Sequence, residues 1–459
     1  MLMAKTSIQN MTEGNPTKLL LKFSLPMIIG NIFQQLYNMV DSIIVGQFVG
    51  PNALAAVGAT GSIIFLFFSL AFGLSSGIGI IISQYFGAKD YEKVKKAIAT
   101  STYIIVISSL SMGILMMVFA RGIMNLLNTP SEIIDDAVLY MQVVGLGMLV
   151  VGIYNGVAAI LQALGDSKTP LIFLVISCVI NIILDLVFVL LCKWGVLGVA
   201  IATGIAETCS AIGAIIYAWK KIPFFRLSRH EFVVDRTILT KSLNLGVPVA
   251  FQSALISLSC VVLQRVVNGY GATIVAAFTA ASRFEQLVHQ PFNSLGAAIG
   301  TYTGQNIGAG KLKRITEGHW AATKLNIIFC LMMVPIAYWG SEAIMRLFTN
   351  DAEVIKQGVI GIRITCFFYV ALGMIYVSRS VLNGAGDTKF AMILGITEVV
   401  CRVSLAKPLT LIPAIGMLSI WYTTGLTWLV VGALSTVRYA RGKWKTKGVV
   451  SLKDATEAV

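Results

Sequence analysis

Charge is what this sequence has least of. Only 12% of its 459 residues are Asp, Glu, Lys or Arg, where a soluble domain carries about 25%. That shortage excludes an ordinary water-soluble globule. Histidine is nearly absent, with three in the chain (His230, His289, His319). No HExxH stretch, nucleophile elbow or glycine-rich loop ending in GK[ST] occurs, so metalloprotease, hydrolase and ATP-driven chemistry have no support. The seven cysteines (Cys178, Cys192, Cys209, Cys260, Cys330, Cys366, Cys401) form no CxxC pair and no metal-ligand spacing. They read as small buried hydrophobes rather than redox or metal groups. The first residues, MLMAKTSIQNMTEGNPTK, lack the order of charge, short apolar core and small-residue cleavage site of a signal peptide. The first apolar run is therefore expected to stay in the mature chain. A membrane enzyme would need His, Cys or carboxylates clustered near one interface, and the sequence shows none.

What is present is apolar sequence: 56% of residues are hydrophobic. A bilayer core about 30 Å thick takes about 20 apolar residues as a helix, and only helices or closed barrels satisfy every backbone group there. Twelve spans are expected, at about 19–46, 53–84, 97–119, 135–160, 170–192, 195–219, 243–268, 273–304, 320–340, 357–381, 390–413 and 416–438. The fold class is an all-α membrane protein.

The 35 Lys and Arg leave the chain at +14. With the N-terminus cytoplasmic, 26 of them fall on the cytoplasmic side and six outside (Arg121, Lys193, Arg265, Arg346, Lys356, Lys407). Three, Arg283, Arg363 and Arg402, lie at membrane depth. The positive-inside rule then predicts both termini on the cytoplasmic side. Its basic face meets anionic lipid headgroups, and no nucleic acid is needed to explain the charge.

The chain repeats itself. LQALGDSKTPLI (161–172) matches LNGAGDTKFAMI (382–393) at an offset of 221, and SQYFGAKDYEK matches GQNIGAGKLKR at the same offset. Gly195, Thr203 and Gly204 align with Gly416, Thr424 and Gly425, and Pro26 aligns with Pro248 at 222. The expected organisation is an N-lobe (1–219), a connector (220–242), a C-lobe (243–440) and a tail (441–459). Six spans per half is even, so the halves are expected as parallel repeats. That arrangement suits a transporter in which two bundles rock about a central site. In the GD loops, Gly165 and Gly386 read as helix ends, and Asp166 and Asp387 as caps of the next helix. A gating contact is the alternative.

The residues for chemistry lie in the first half. In NIFQQLYNMVDSIIVG, Gln34, Tyr37, Asn38 and Asp41 recur every three or four residues and share a helix face. Asn181 and Asp185 share a face of the fifth span, and Thr203 lies on the sixth. A carboxylate at bilayer depth is costly and needs a partner or a function. Two facing acids can share a proton, or hold sodium with amide and hydroxyl oxygens completing the shell. Buried hydrogen bonding alone is the structural alternative. In the repeat, Asp41, Asn181 and Asp185 align with Leu263, Arg402 and Ala406, so a cation site is expected in the first half only. The second half has its own charges, Arg283 and Glu285, and Glu398 with Arg402. Glu398 and Arg402, four apart, are expected to pair structurally. Glu285 is placed to face a cavity, with His289 one turn on to pair with it. His230 and His319 are expected to be solvated, and Glu207 is ambiguous.

LPMIIGNIFQQLYNMVDSIIVGQFVG, GDSKTPLI, NIILDLVFV and GVLGVAIATGIAE resemble the multidrug and toxic compound extrusion (MATE) transporters, over essentially the whole chain. The resemblance implies a cation-coupled antiporter exporting amphipathic, often cationic, compounds. It implies a cation site at Asp41, Asn181, Asp185 and Thr203, in an N-lobe cavity with Gln34, Tyr37, Tyr140 and Asn155. Arg283, Glu285, Glu398 and Arg402 would border a C-lobe cavity. The seventh and tenth spans lack the acids of the NorM-type branch, which places the chain nearer the DinF-like and MepA-like branches. A monomer is expected, with small amphipathic molecules and lipids as partners and no cofactor beyond the coupling ion, H+ or Na+. The rival is a flippase for a lipid-linked anion, for which the arginines of the second half would speak.

Overall fold

The computed structural model describes residues 7–127, 129–228, 230–412 and 415–450. Every described regular element is helical. Six α-helices make the first half: α1 (Pro16–Ile44), α2 (Pro51–Gly87), α3 (Tyr91–Leu126), α4 (Ile134–Ala163), α5 (Lys168–Leu186) and α6 (Gly195–Lys221). The second half holds α7 (Arg236–Asn268), α8 (Ala272–Gly308), α9 (Leu312–Arg346), α10 (Ala352–Cys366), α11 (Tyr369–Ala385), α12 (Thr388–Ala406) and α13 (Ser419–Ala440).

The surface is that of a protein in lipid. Leu146, Leu331 and Trp339 are 68%, 69% and 74% exposed, among dozens of large apolar side chains facing outward, where soluble monomers rarely expose apolar area so broadly. Among the described residues, nine helices are long and apolar enough to cross a membrane. A tenth crossing is the pair α10 and α11, bent by 51° at a short break. The two helices that complete twelve crossings, α8 and α12, carry the polar load. Arg283, Glu285 and His289 interrupt α8, and Lys389, Glu398 and Arg402 interrupt α12. The tenth span is therefore not the unbroken helix expected at 357–381. The eleventh ends at Ala406, short of 413. Pro408 opens a 3-10 turn there and, lacking an N–H, cannot carry the helix on. Three cysteines expected in the core, Cys192, Cys209 and Cys260, are exposed instead. A thiol is apolar enough to meet lipid, and Cys260 contacts the Arg402 side chain.

The chain forms two compact units that do not part at the connector. One comprises Met1–Asn10 and Leu25–Ala250, the other Met11–Ser24 and Phe251–Val459. Each half's first helix thus gives its opening turns to the other unit, and each carries an internal proline close to the division, Pro26 in α1 and Pro248 in α7. Within the first unit, Gly77 and Gly246 bring α2 and α7 so close that a Cβ on Gly77 would meet the Gly246 backbone at 2.5 Å. Small residues permit such approach in membranes. Within the second unit, Gln305 and Asn306 of α8 hold the Met11 backbone through hydrogen bonds of 2.8 and 3.1 Å. Arg314 binds the Gly14 carbonyl at 3.0 Å.

The repeated GD loops match in backbone and differ in partner. Gly165 and Gly386 both adopt the left-handed conformation (φ +93° and +94°) that ends a helix cheaply only with glycine. Asp166 caps α5, accepting from the Lys168 and Thr169 N–H groups at 3.1 and 3.0 Å. Ser7 also donates to it. Asp387 makes no such cap. It takes a two-pronged ion pair from Arg438, 2.8 and 3.2 Å.

Candidate functional site

The first unit gathers the polar residues that the apolar spans otherwise exclude. α1 brings Tyr37 and Asp41 to one face, α5 brings Asn181 and Asp185, and α6 brings Thr203 and Glu207. Asp185 is wholly buried and Asn181 is nearly so. The carboxyl groups of Asp41 and Asp185 meet within side-chain hydrogen-bonding range. Each retains one buried oxygen without a protein partner. No basic side chain forms an ion pair with either among the described residues.

Asn181 ties this pair to α6. With its amide nitrogen toward Asp185, it donates to that carboxylate at 3.0 Å and accepts from the Thr203 N–H and hydroxyl, both at 3.2 Å. Only this orientation gives each end a complementary partner. Tyr37 lies within electrostatic range of Asp41, Tyr140 and Glu207 and within hydrogen-bonding reach of Thr203. Tyr140, from α4, lies within range of both aspartates. The expected set Tyr37, Asp41, Tyr140, Asn181, Asp185 and Thr203 is thus brought together. Gln34 is exposed on α1. Asn155 spends its amide on the Val151 carbonyl of its own helix, 2.9 Å away.

Both acids stand next to a local widening of their helices. α1 passes into a π turn at Val45–Val49 and α5 into another at Val187–Leu191. Such turns are rare and occur frequently at functional sites. They sit in an apolar cluster of Ile44, Val45, Ala53, Val189, Val196 and Val199, with Tyr140 packed against it. The acids therefore adjoin an apolar plug at the end of the unit where α1 finishes.

The second unit answers with different chemistry. At the position of Asn181 it has Arg402, paired with Glu398 at 3.2 Å, and both side chains are more than nine-tenths buried. The Arg402 guanidinium reaches Cys260 Sγ at 3.6 Å, and its Nε has no partner. Glu285 lies within electrostatic range of Arg402 and within hydrogen-bonding reach of Thr365. Its expected pairing with His289 is not made. His289 Nδ1 faces the Tyr376 hydroxyl at 3.4 Å, and its ring packs edge-on against Trp428. Arg283 is exposed, which follows from its two-residue offset from Glu285.

Two features escaped the sequence reading. His319 is buried, not solvated. Its ring stacks on Tyr439 at 3.8 Å, Tyr439 stacks on the buried Trp444, and Nε2 meets the Ser378 hydroxyl at 3.2 Å. Glu207, left ambiguous, has one buried carboxylate oxygen without a partner.

Comparison with known proteins agrees with this architecture. The MatE family model matches residues 26–187 and again 248–407, once per half. The "Probable multidrug resistance protein YpnP" of Bacillus subtilis is 28% identical over 95% of this chain and 97% of its own length. The "Probable multidrug resistance protein YoeA" of the same organism is 27% identical over 94% of both chains. The structure of a MOP superfamily transporter from Pyrococcus furiosus superposes with a TM-score of 0.89 at 24% identity, covering 95% of this chain and 98% of that one. That likeness establishes the fold.

Proposed function

The chain belongs to the MatE family, and on that premise we propose that it is a secondary antiporter of the plasma membrane, exporting amphipathic cationic compounds in exchange for a proton. The observation that carries the reading is the meeting of Asp41 and Asp185. Two carboxylates in mutual contact, without a base, cannot both stay charged away from water. A shared proton is the smallest change that relieves them. In this reading the termini are cytoplasmic and the Val45–Val189 plug faces outward. A proton reaching the pair from outside removes the repulsion between α1 and α5. The two π turns give those helices a point at which to shift register. The ligand-free and proton-bound states then differ in their affinity for substrate, and that difference is the coupling free energy. The protein works as a monomer and needs no cofactor beyond the coupling ion.

A sodium ion is the second reading, favoured by the convergence of two carboxylates with Thr203. Against it stands Asn181, whose carbonyl oxygen is engaged by Thr203 and so is not turned toward the acids, where a hard cation would want it. Export of an anionic lipid-linked compound fits less well. Arg402 is neutralised by Glu398, and Arg363 is spent on the Tyr338 carbonyl at 3.0 Å and the Ser341 hydroxyl at 3.2 Å.

The test is dye efflux from reconstituted vesicles under separate proton and sodium gradients. A proton gradient alone is expected to drive wild type, with Asp41→Asn and Asp185→Asn inactive but folded. Normal transport by both variants would overturn the mechanism.

A further inference from the structure

One more carboxylate at bilayer depth in the first unit has no role in this account. Glu207 lies on α6 one turn beyond Thr203, about 6 Å further along the helix axis. One of its oxygens is buried and unpartnered. The titratable groups that face it are Tyr154 from α4, Cys178 from α5 and Tyr37 from α1. Tyr154 is committed elsewhere, donating to the Pro170 carbonyl at 3.0 Å. The other segments against α6 add little. α2 contains no Asp, Glu, Lys, Arg or His, and neither do the π turns or the 3-10 turn at Pro223–Phe225. A costly acid at this depth is therefore neither ion-paired nor capped.

Its place in the polar network is specific. Asp185, Asn181 and Thr203 are joined by the hydrogen bonds described above. Tyr37 reaches the Thr203 hydroxyl and stands within range of both Asp41 and Glu207. Polar groups thus run from the acid pair through Thr203 and Tyr37, and they end at a carboxylate with a free acceptor. With the termini cytoplasmic, α6 runs inward, so this end lies on the cytoplasmic side of the pair.

Resting on the proton-coupled reading above, we propose that Glu207 is the inner exchange station of the coupling proton. When the site opens inward, the proton leaves the Asp41–Asp185 carboxyls and passes, over water ordered by the Thr203 and Tyr37 hydroxyls, to the Glu207 carboxylate. Glu207 then releases it to cytoplasmic water and returns to its anionic form, and the pair is left with one proton fewer. No bond other than O–H changes, and no other reactant is required. Glu207 is a positioning and relay group and does not hold substrate.

The full-length protein in proteoliposomes, with ethidium as the probe, separates the possibilities. Two rates are compared: efflux driven by a pH gradient, and ethidium–ethidium exchange at equal pH, which needs no net proton movement. Glu207→Gln is expected to slow the driven rate by at least about tenfold, as loss of a proton-transfer group does. Exchange and ethidium affinity stay at wild-type levels, and Glu207→Asp recovers part of the driven rate. Unchanged driven efflux in Glu207→Gln overturns the proposal. Loss of exchange and affinity in folded protein also overturns it, by placing Glu207 in the substrate site. If wild type itself ignores the pH gradient, the proton-coupled reading fails and the relay falls with it. If Asp41→Asn fails as expected while Glu207→Gln does not, only the relay falls.

Discussion

Removing Glu398 should damage the protein more than removing its partner. The two side chains form an ion pair at 3.2 Å, exposed only 7% and 8%. Breaking a buried pair by removing one partner costs about 3–5 kcal/mol, because the survivor stays charged and unsolvated. The two survivors are not alike. In Glu398→Gln the arginine remains, and a guanidinium cannot give up its proton. What remains near it is the weak acceptor Cys260 Sγ at 3.6 Å and, at longer range, the Glu285 carboxyl, and its Nε is already without a partner. In Arg402→Met the glutamate can take up a proton and become neutral, which avoids most of the penalty. The expected loss is therefore about 3 kcal/mol or more for Glu398→Gln and less for Arg402→Met. The double variant should recover part of the loss, since no uncompensated buried charge remains, only a buried amide that has lost its partner. A loss of 3 kcal/mol lowers the folded-to-unfolded ratio on the order of a hundredfold. The assay is thermal unfolding of the detergent-solubilised protein, followed by the monodisperse fraction on size exclusion, for all four corners of the cycle. Equal losses in the two single variants, or a double variant as unstable as Glu398→Gln, would refute the reasoning. So would a Glu398→Gln protein of wild-type stability that no longer transports, because the pair would then be functional.

Three further outcomes follow from the packing and the loops. Trp444→Ala should destabilise the protein by about 3–5 kcal/mol, because it empties a fully buried site and unseats the Tyr439–His319 stack; the same unfolding assay reads it. Gly386→Ala should cost about 1–2 kcal/mol, since its φ of +94° is strained for a side chain, whereas Gly340→Ala, in open helix with only Ile344 nearby at 3.9 Å, should be tolerated. In the connector, the Ser228 N–H at 2.7 Å and the Lys95 ammonium at 2.9 Å hold the Glu231 carboxyl down to about 2. A depressed carboxyl stabilises at pH above its unfolded value of about 4.3 and loses that contribution as pH falls toward 2. Connector cleavage by pepsin should therefore rise between those values in wild type, and Glu231→Gln should show high cleavage throughout.

Much of the architecture was legible because hydropathy and repetition are strong signals in a membrane. Twelve crossings, the doubled GD loops with their left-handed glycines, and the Glu398–Arg402 pair all follow from spacing. So does the gathering of Asp41, Asn181, Asp185 and Thr203, since a polar face at bilayer depth must turn inward. What stayed hidden depends on long-range packing. The 51° bend between α10 and α11 has no proline at its break, so nothing local announces it. The burial of His319 arises from Tyr439, 120 positions away. The assignment of Met11–Ser24 to the second unit rests on Gln305, Asn306 and Arg314, whose role as anchors no periodicity reveals. The contact between Asp41 and Asp185 depends on helix rotation, which spacing leaves open.

The central claim is that substrate and proton compete through the Asp41–Asp185 pair, and linkage makes this measurable at equilibrium. The most direct measurement adds ethidium to purified protein in weakly buffered detergent with a pH indicator and follows proton release. Wild type should release protons as substrate binds, with affinity falling as pH is lowered, and Asp185→Asn should bind without release. Binding by wild type with no proton release and no dependence on pH would contradict the account.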